Sequence, residues 1–515
     1  MIPEIDVAAV APMIPVALGV LCLPLLEVVL LRTPTLLGQR VSAARRGTYL
    51  ATASFLFLAA SLLLTLNAFS QPLRVFNPEN PMVRMDGVAL FLGAIVLIGA
   101  MLTVLASSKY LEHIDSNWGE FYTLVLSSVT GMMFLAAASD LIMLFLSLEL
   151  MSIPVYALAG FRRASLRSNE SAVKYFLIGS FASGLLLYGS SLLYGATGSL
   201  ELAEIATSFD PENALDLVGA GLVLIGLAFK ISSVPFHQWA PDTYEGAPTT
   251  ISGFMATAVK VAAFGALLRV VSVAFAPASE SVYGVLWVLS ALSMTVGNVM
   301  ALIQRNTKRM LAYSSIAHAG YLLIGVIAGG EDGTQAVLVY LLTYTFMTVG
   351  AFTVVSVLAR DGEEHDRIDD LSGLAQTRPA LAAVMAICMF SLLGMPGTAG
   401  FIGKFLVFSA AVQSGLATGS SSLVWLVVIA VLNSAISLGY YLRIPATMYF
   451  YPAPESAKPG QATFFEGLVL GACAAAVLLL GLLPQDALPG VSSLLQMADV
   501  NVLQLASDAA ASFTP

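Results

Sequence analysis

Hydrophobic blocks of about twenty residues recur along this chain from end to end, and a helix of that length crosses about 30 Å of hydrocarbon. The blocks are continuous apolar runs, without the alternation of barrel strands, so a β-barrel is excluded. Charged residues make up 11% of the 515 positions, against about 25% in a soluble domain. No stretch is left for a sizeable soluble domain. The pattern predicts an all-α polytopic membrane protein with about fourteen transmembrane helices. They lie at about 8–31, 47–69, 86–107, 119–138, 140–161, 172–195, 216–239, 250–274, 281–303, 310–329, 334–359, 379–412, 421–445 and 462–483. The start MIPEIDVAAV lacks the basic residues of a signal peptide, so the first block is expected to stay as a helix.

The basic residues orient these spans. Sixteen of the 23 fall on one face of the membrane, and only Arg74 and Arg84 on the other. The remaining five, Lys174, Lys230, Lys260, Arg269 and Lys404, lie within spans. The positive-inside rule makes the rich face the inner one, so both termini are expected outside. Acidic residues 201–216 then form an outer cluster. The mixed-charge connector RDGEEHDRIDDLSGLAQTRP (360–379) is inner, and reads either as a solvated link or as a docking surface.

Two spans are interrupted. Pro235 lies in FKISSVPFHQW, and GMPGTAG (394–400) splits the 34-residue run 379–412. Proline removes an amide donor and frees the carbonyl four residues earlier, here on Ile231 and Leu392. Breaks at corresponding places in two halves point to an inverted-repeat transporter. The expected units are 1–118 (helices one to three), 119–275 and 281–445 (two five-helix repeats), and 446–515 (helix fourteen and tail).

Charge at mid-membrane depth costs about 2.5–3.5 kcal/mol even on a lenient scale, and usually marks an ion path. Lys230, Lys260, Lys404 and Glu149 all sit in apolar runs. Lys230 precedes Pro235 by five residues, where it either snorkels or lines a wet cavity. Glu149 is its natural partner, as a static ion pair or as a switch. An ammonium taken out of water loses proton affinity and a nearby carboxylate restores it, so changing their separation moves a proton. Lys260 is too deep to snorkel easily, and Lys404 follows the second break. Ser232, Ser233, His237 and His318 can supply polar steps between them. Each histidine reads equally as a satisfied structural group. Lys174 can snorkel or participate; Asp242 and Glu245 are expected to cap the inner mouth, and Arg269 to be interfacial. Cys22, Cys388 and Cys473 are single and read as packing residues. With no CxxC pair, P-loop or dinucleotide motif, no cofactor or metal is expected in this chain, and no nucleic-acid partner.

FKISSVPFHQWAPDTYEGAPTTISGFMATAVKVAAF resembles the antiporter-like membrane subunits of respiratory complex I, as do QRNTKRMLAYSSIAHAGYLLIG and LLGMPGTAGFIGKF. RSNESAVKYFLIGSFASGLLLYGSSLLYGATGS narrows the resemblance to the N-type subunit and its photosynthetic relatives. It covers about residues 85–445. The M-type carries glutamate where Lys404 stands, and the L-type a long lateral helix for which this chain ends too soon. The resemblance implies Glu149 and Lys230 as a paired switch, Lys260 as central relay and Lys404 toward the outer side. Lys174 and His237 match polar positions of less defined role. It implies a bacterial inner membrane, other complex I membrane subunits as partners, and proton translocation coupled to quinone reduction elsewhere. Flavin and iron–sulfur clusters would belong to partner subunits, which set the electron donor. The rivals are a subunit of a multisubunit cation/proton antiporter, one of a proton-pumping hydrogenase, and a scaffold whose charges only tie helices together.

Overall fold

The computed structural model describes residues 5–482 apart from 33–34, 37–38, 41, 72, 78, 115, 360–362 and 454–459. Arg360, Lys458 and the expected tail beyond residue 482 therefore lie outside the described residues.

A 3-10 turn, Val7–Met13, leads into α1 (Ile14–Arg32), followed by α2 (Ala43–Ala68) and α3 (Gly87–His113). The first repeat holds α4 (Glu120–Ala137), α5 (Leu141–Ala159), α6 (Leu166–Thr197), the short α7 (Leu202–Ser208), α8 (Ala214–Lys230) and α9 (Trp239–Gly246). Its last span, Thr249–Ala274, is one continuous helix: α10 (Thr249–Phe254), a π segment Met255–Val259, α11 (Lys260–Arg269) and a second π segment Val270–Ala274. The second repeat holds α12 (Ser279–Leu302), α13 (Thr307–Ala328), α14 (Gly330–Val357), the one-turn α15 (Leu374–Thr377), α16 (Pro379–Leu393), α17 (Ala399–Thr418) and α18 (Ser421–Phe450). Helix α19 (Phe464–Leu482) follows.

Among the described residues thirteen helices are long and apolar enough to cross a membrane. The remaining expected span, 216–239, is α8, which stops at Lys230, with α9 resuming beyond the break. Helix ends shift where capping side chains intervene. Ser165 accepts the amide of Ser168 and starts α6 earlier than expected, and Asn306 does the same for α13 through Arg309. Helix α18 runs on through Pro445 instead of ending there.

Both repeats pair their helices alike. Helix α4 packs on α5, α5 on α6, and α6 on α8 and α9; correspondingly α12 packs on α13, α13 on α14, and α14 on α16 and α17. Helices α11 and α18 close the two units against α4 and α12. Five spans is an odd number, so the second unit enters the membrane from the opposite side. The units are thus inverted. Helices α10 and α11 are buried throughout and α13 over all but its ends, whereas α1, α2 and α18 turn broad apolar faces outward. Close packing depends on small residues: a Cβ on Gly131 would lie 2.3 Å from the Met151 amide nitrogen on α5.

Arg269, expected at the interface, is held inside the protein near one end of its span. Its guanidinium is buried, 2.5 Å from Asp86, and its Nε donates to the Ala136 carbonyl at 2.7 Å. Asp86 caps α3 through the Ala89 amide, so the pair ties α11 to the N-terminal end of α3 and the C-terminal end of α4.

Candidate functional site

The first break follows α8. Ser232 adopts a left-handed backbone (φ +60°), and the groups the helix no longer pairs find partners in the protein. The Ser233 amide donates to Ala228 O, the Val234 amide to Ser293 Oγ on α12 at 2.9 Å, and Trp239 Nε1 to Phe229 O at 3.1 Å. Irregular backbone at membrane depth requires this. Lys230, the last residue of α8, is 2% exposed. Its Nζ donates to Ser152 Oγ at 2.8 Å and to Tyr156 Oη at 3.0 Å, both on α5. The rings of Tyr156, Phe229 and Tyr175 stand 5.1, 5.5 and 5.6 Å away, a cation–π cage.

Glu149 precedes Ser152 by one turn on the same face of α5. It is half-buried, and its Oε1 has no hydrogen-bond partner. Among the described residues no salt bridge joins it to Lys230, whose ammonium rests instead on the hydroxyls one and two turns further along.

Lys260 opens α11 directly after the π segment, a departure often found at functional positions. It is 1% exposed and donates to Ser315 O at 2.6 Å and to the Ser315 hydroxyl. Ser315 belongs to α13, and the row continues along that helix. His318 Nδ1 lies 2.7 Å from Tyr340 Oη, and its Nε2 lies 2.9 Å from Tyr441 Oη. Tyr441 also meets Ser314 at 2.5 Å. A neutral imidazole donates through one nitrogen and accepts through the other, which suits a group held between two hydroxyls. Tyr321, three residues after His318, meets its ring edge-on at 5.8 Å and carries Lys404 4.9 Å above its own ring.

Lys404 sits at the second break. Gly394 ends α16 in the left-handed region (φ +91°), which only glycine adopts readily. Lys404 Nζ donates to Leu392 O at 3.1 Å, Leu393 O at 2.8 Å and Ser434 Oγ at 3.2 Å. The ammonium thus takes over carbonyls that the interrupted helix leaves unpaired.

Lys174 and His237 stand apart from this row. Lys174 binds Glu170 at 2.6 Å and Asp242 at 2.7 Å. Asp242 also meets Arg309 at 2.6 Å, and Arg309 meets Glu245 at 3.0 Å. These groups line a cavity of about 160 Å³. Burial raises the Asp242 carboxyl, but hydrogen bonds and charge from Lys174 and Arg309 outweigh it and hold it below the usual carboxylate value. His237 lies in the first break, half-buried, with an unpartnered Nδ1. No metal-holding cluster of histidine, cysteine or acidic residues occurs among the described residues.

Sequence reasoning missed Ser152, Tyr156, Ser315, Tyr340 and Tyr441. A serine or tyrosine in an apolar helix is no anomaly; only Ser152 and Tyr156 carried a signal, as helical neighbours of Glu149.

The family described as NADH:quinone oxidoreductase/Mrp antiporter, TM, matches residues 138–437. NADH-quinone oxidoreductase subunit N of Trichlorobacter lovleyi is 48% identical over 78% of this chain and 82% of its own length. A chain of respiratory complex I from Thermus thermophilus, solved with bound aureothin, superposes with a TM-score of 0.76 at 37% identity, covering 94% of this chain and 99% of that one. A chain of the Mrp complex from a Dietzia species has the same fold at 22% identity, with a TM-score of 0.79 and coverage of 97% and 98%. On this evidence the chain belongs to the NADH-quinone oxidoreductase subunit N family of antiporter-like membrane proteins.

Proposed function

We propose that this chain is the proton-translocating N-type membrane subunit of an NADH:quinone oxidoreductase, and that its buried lysines form the proton path. The observation that carries this reading is the row itself. Lys230 rests on two hydroxyls of α5, Lys260 on Ser315, and His318 and Tyr321 of α13 stand between Lys260 and Lys404. Protons hop between polar groups about one hydrogen bond apart, with ordered water bridging longer gaps. When Glu149 approaches Lys230 the ammonium is stabilised; when they separate the proton is released toward Lys260, and from there past Ser315 and His318 to Lys404. Quinone reduction in partner subunits drives that separation, and the flavin and iron–sulfur carriers belong to those subunits. In this reading the chain has no redox site of its own. It sits in a bacterial inner membrane with both termini outside, in contact with other antiporter-like and small membrane subunits.

Inverted membrane vesicles holding the assembled complex test the path. Lys260→Met should abolish or sharply reduce acidification driven by the electron donor; unchanged pumping in a fully assembled complex overturns the proposal. Gentle purification separates the antiporter alternative: flavin and iron–sulfur subunits accompany a complex I subunit, and only small antiporter subunits accompany the other.

A further inference from the structure

The inner connector reads from sequence as a solvated link or docking surface, yet one of its carboxylates is driven into the protein. Residues 366–368 lie along the start of α13: the Thr307 amide donates to Asp366 O at 2.6 Å and the Ile368 amide to Arg305 O at 2.9 Å. This carries Glu364 inward, where its side chain is 9% exposed. Its Oε2 accepts from Lys308 at 2.8 Å and from Arg162 at 3.2 Å. Its Oε1 accepts from the Thr249 amide at 3.0 Å, the Thr249 hydroxyl at 2.7 Å and the Tyr110 hydroxyl. Lys308 is fully buried and also donates to Ala247 O at 2.9 Å. A single carboxylate thus joins α3, the loop after α5, the first turn of α10 and the first turn of α13.

Behind this knot a run of hydroxyls leads toward the row. Ser252 donates to Tyr244 O at 2.7 Å. The side chains of Tyr244 and Tyr344 both face the hydroxyl of Ser315, which holds Lys260. Around the same corner the hydroxyls of Thr243, Thr250 and Thr307 are buried without partners. Unpaired buried hydroxyls are where water enters once it has access. A polar column therefore runs from the inner surface to Lys260, and Glu364 stands at its mouth.

We propose that Glu364 is a plug and positioning residue: its carboxylate closes the inner end of this column, so that protons reach Lys260 only along the row from Lys230. The inference rests on the proton path above. Without the plug, Lys260 exchanges directly with inner water and translocated protons leak back.

Passive collapse of a pH step, measured without electron donor in vesicles holding the complex, tests it. Glu364→Gln keeps the size and removes the charge, and should speed the collapse several-fold. Adding Lys260→Met should return the collapse to the wild-type rate, which general packing damage would not do. An unchanged collapse in Glu364→Gln, or a leak indifferent to Lys260→Met, overturns the plug. Where Glu364→Gln fails to assemble, Tyr110→Phe removes one of the carboxylate's donors and is judged by the same two outcomes. Normal pumping by Lys260→Met alone would sink the path itself. Blocked pumping in Lys260→Met without a leak in Glu364→Gln sinks only the plug.

Discussion

Lys230 and Lys404 both stand at helix breaks, and each is hydrogen-bonded differently. Lys404 takes carbonyls released by α16, so the break itself makes the site; Lys230 turns across to hydroxyls on α5. Both lysines were legible in the sequence because a charge in an apolar run is conspicuous. Their partners were not, because hydroxyls are common in membrane helices and only folding shows which ones meet. Arg269 shows the same limit. Its place near the end of a span could be read, but its partner, Asp86, lies 183 positions away. Breaking a buried pair by removing one partner costs about 3–5 kcal/mol. Arg269→Met should therefore lower the thermal unfolding midpoint of the purified protein markedly. Adding Asp86→Asn should recover part of the loss, because the orphaned charge is then gone; equal midpoints for wild type and Arg269→Met would contradict the account.

Helix α13 is the spine of the site, carrying Ser314, Ser315, His318 and Tyr321 on neighbouring turns and the Lys308–Arg309 pair at its N-terminal end. The breaks in the seventh and twelfth spans could be read from Pro235 and GMPGTAG. The helix ends could not, because caps such as Ser165 and Asn306 sit inside polar runs and Pro445 is accommodated within α18. Element spacing is also fixed by residues that sequence leaves anonymous. Gly131 on α4 faces the backbone of α5 so closely that any larger side chain must push α5 away, and α5 carries Glu149, Ser152 and Tyr156. Gly131→Val should cost about 1–3 kcal/mol by overpacking and slow donor-driven pumping as well. Calorimetry alongside vesicle acidification checks this, and loss of neither quantity counts against the packing role.

At the scale of the whole molecule the two repeats are clamped together where α13 of the second grips the α9–α10 corner of the first. Two carboxyls of the clamp titrate in a shifted range. Burial raises Glu364, but the Lys308 charge and hydrogen bonds from Lys308, Tyr110 and Thr249 outweigh it, with a net shift below the ordinary value of 4.5. Arg162 adds a further cation and Asp366 an opposing charge nearby. Asp242, beside Lys174 and Arg309, is likewise held below its ordinary 3.8. Groups lowered in the folded state stabilise it above their unfolded values and lose that contribution as pH falls through the folded ones. The unfolding midpoint should therefore be insensitive to these groups near neutrality and decline once pH drops below the ordinary carboxylate range, with a shallower decline in Glu364→Gln. An acid limb of identical steepness in that variant would contradict the assignment. The repeats were legible in the spacing of the two breaks, but the clamp was not, because a charged loop reads as solvated until the structure shows what it covers. Chain order adds a consequence for biosynthesis. The ribosome delivers the first repeat well before residues 308, 309 and 364 exist, so until then Asp242 has only Lys174, Glu245 only Arg167, and the amide of Thr249 only the Tyr110 hydroxyl. The clamp closes only once the second half has been made.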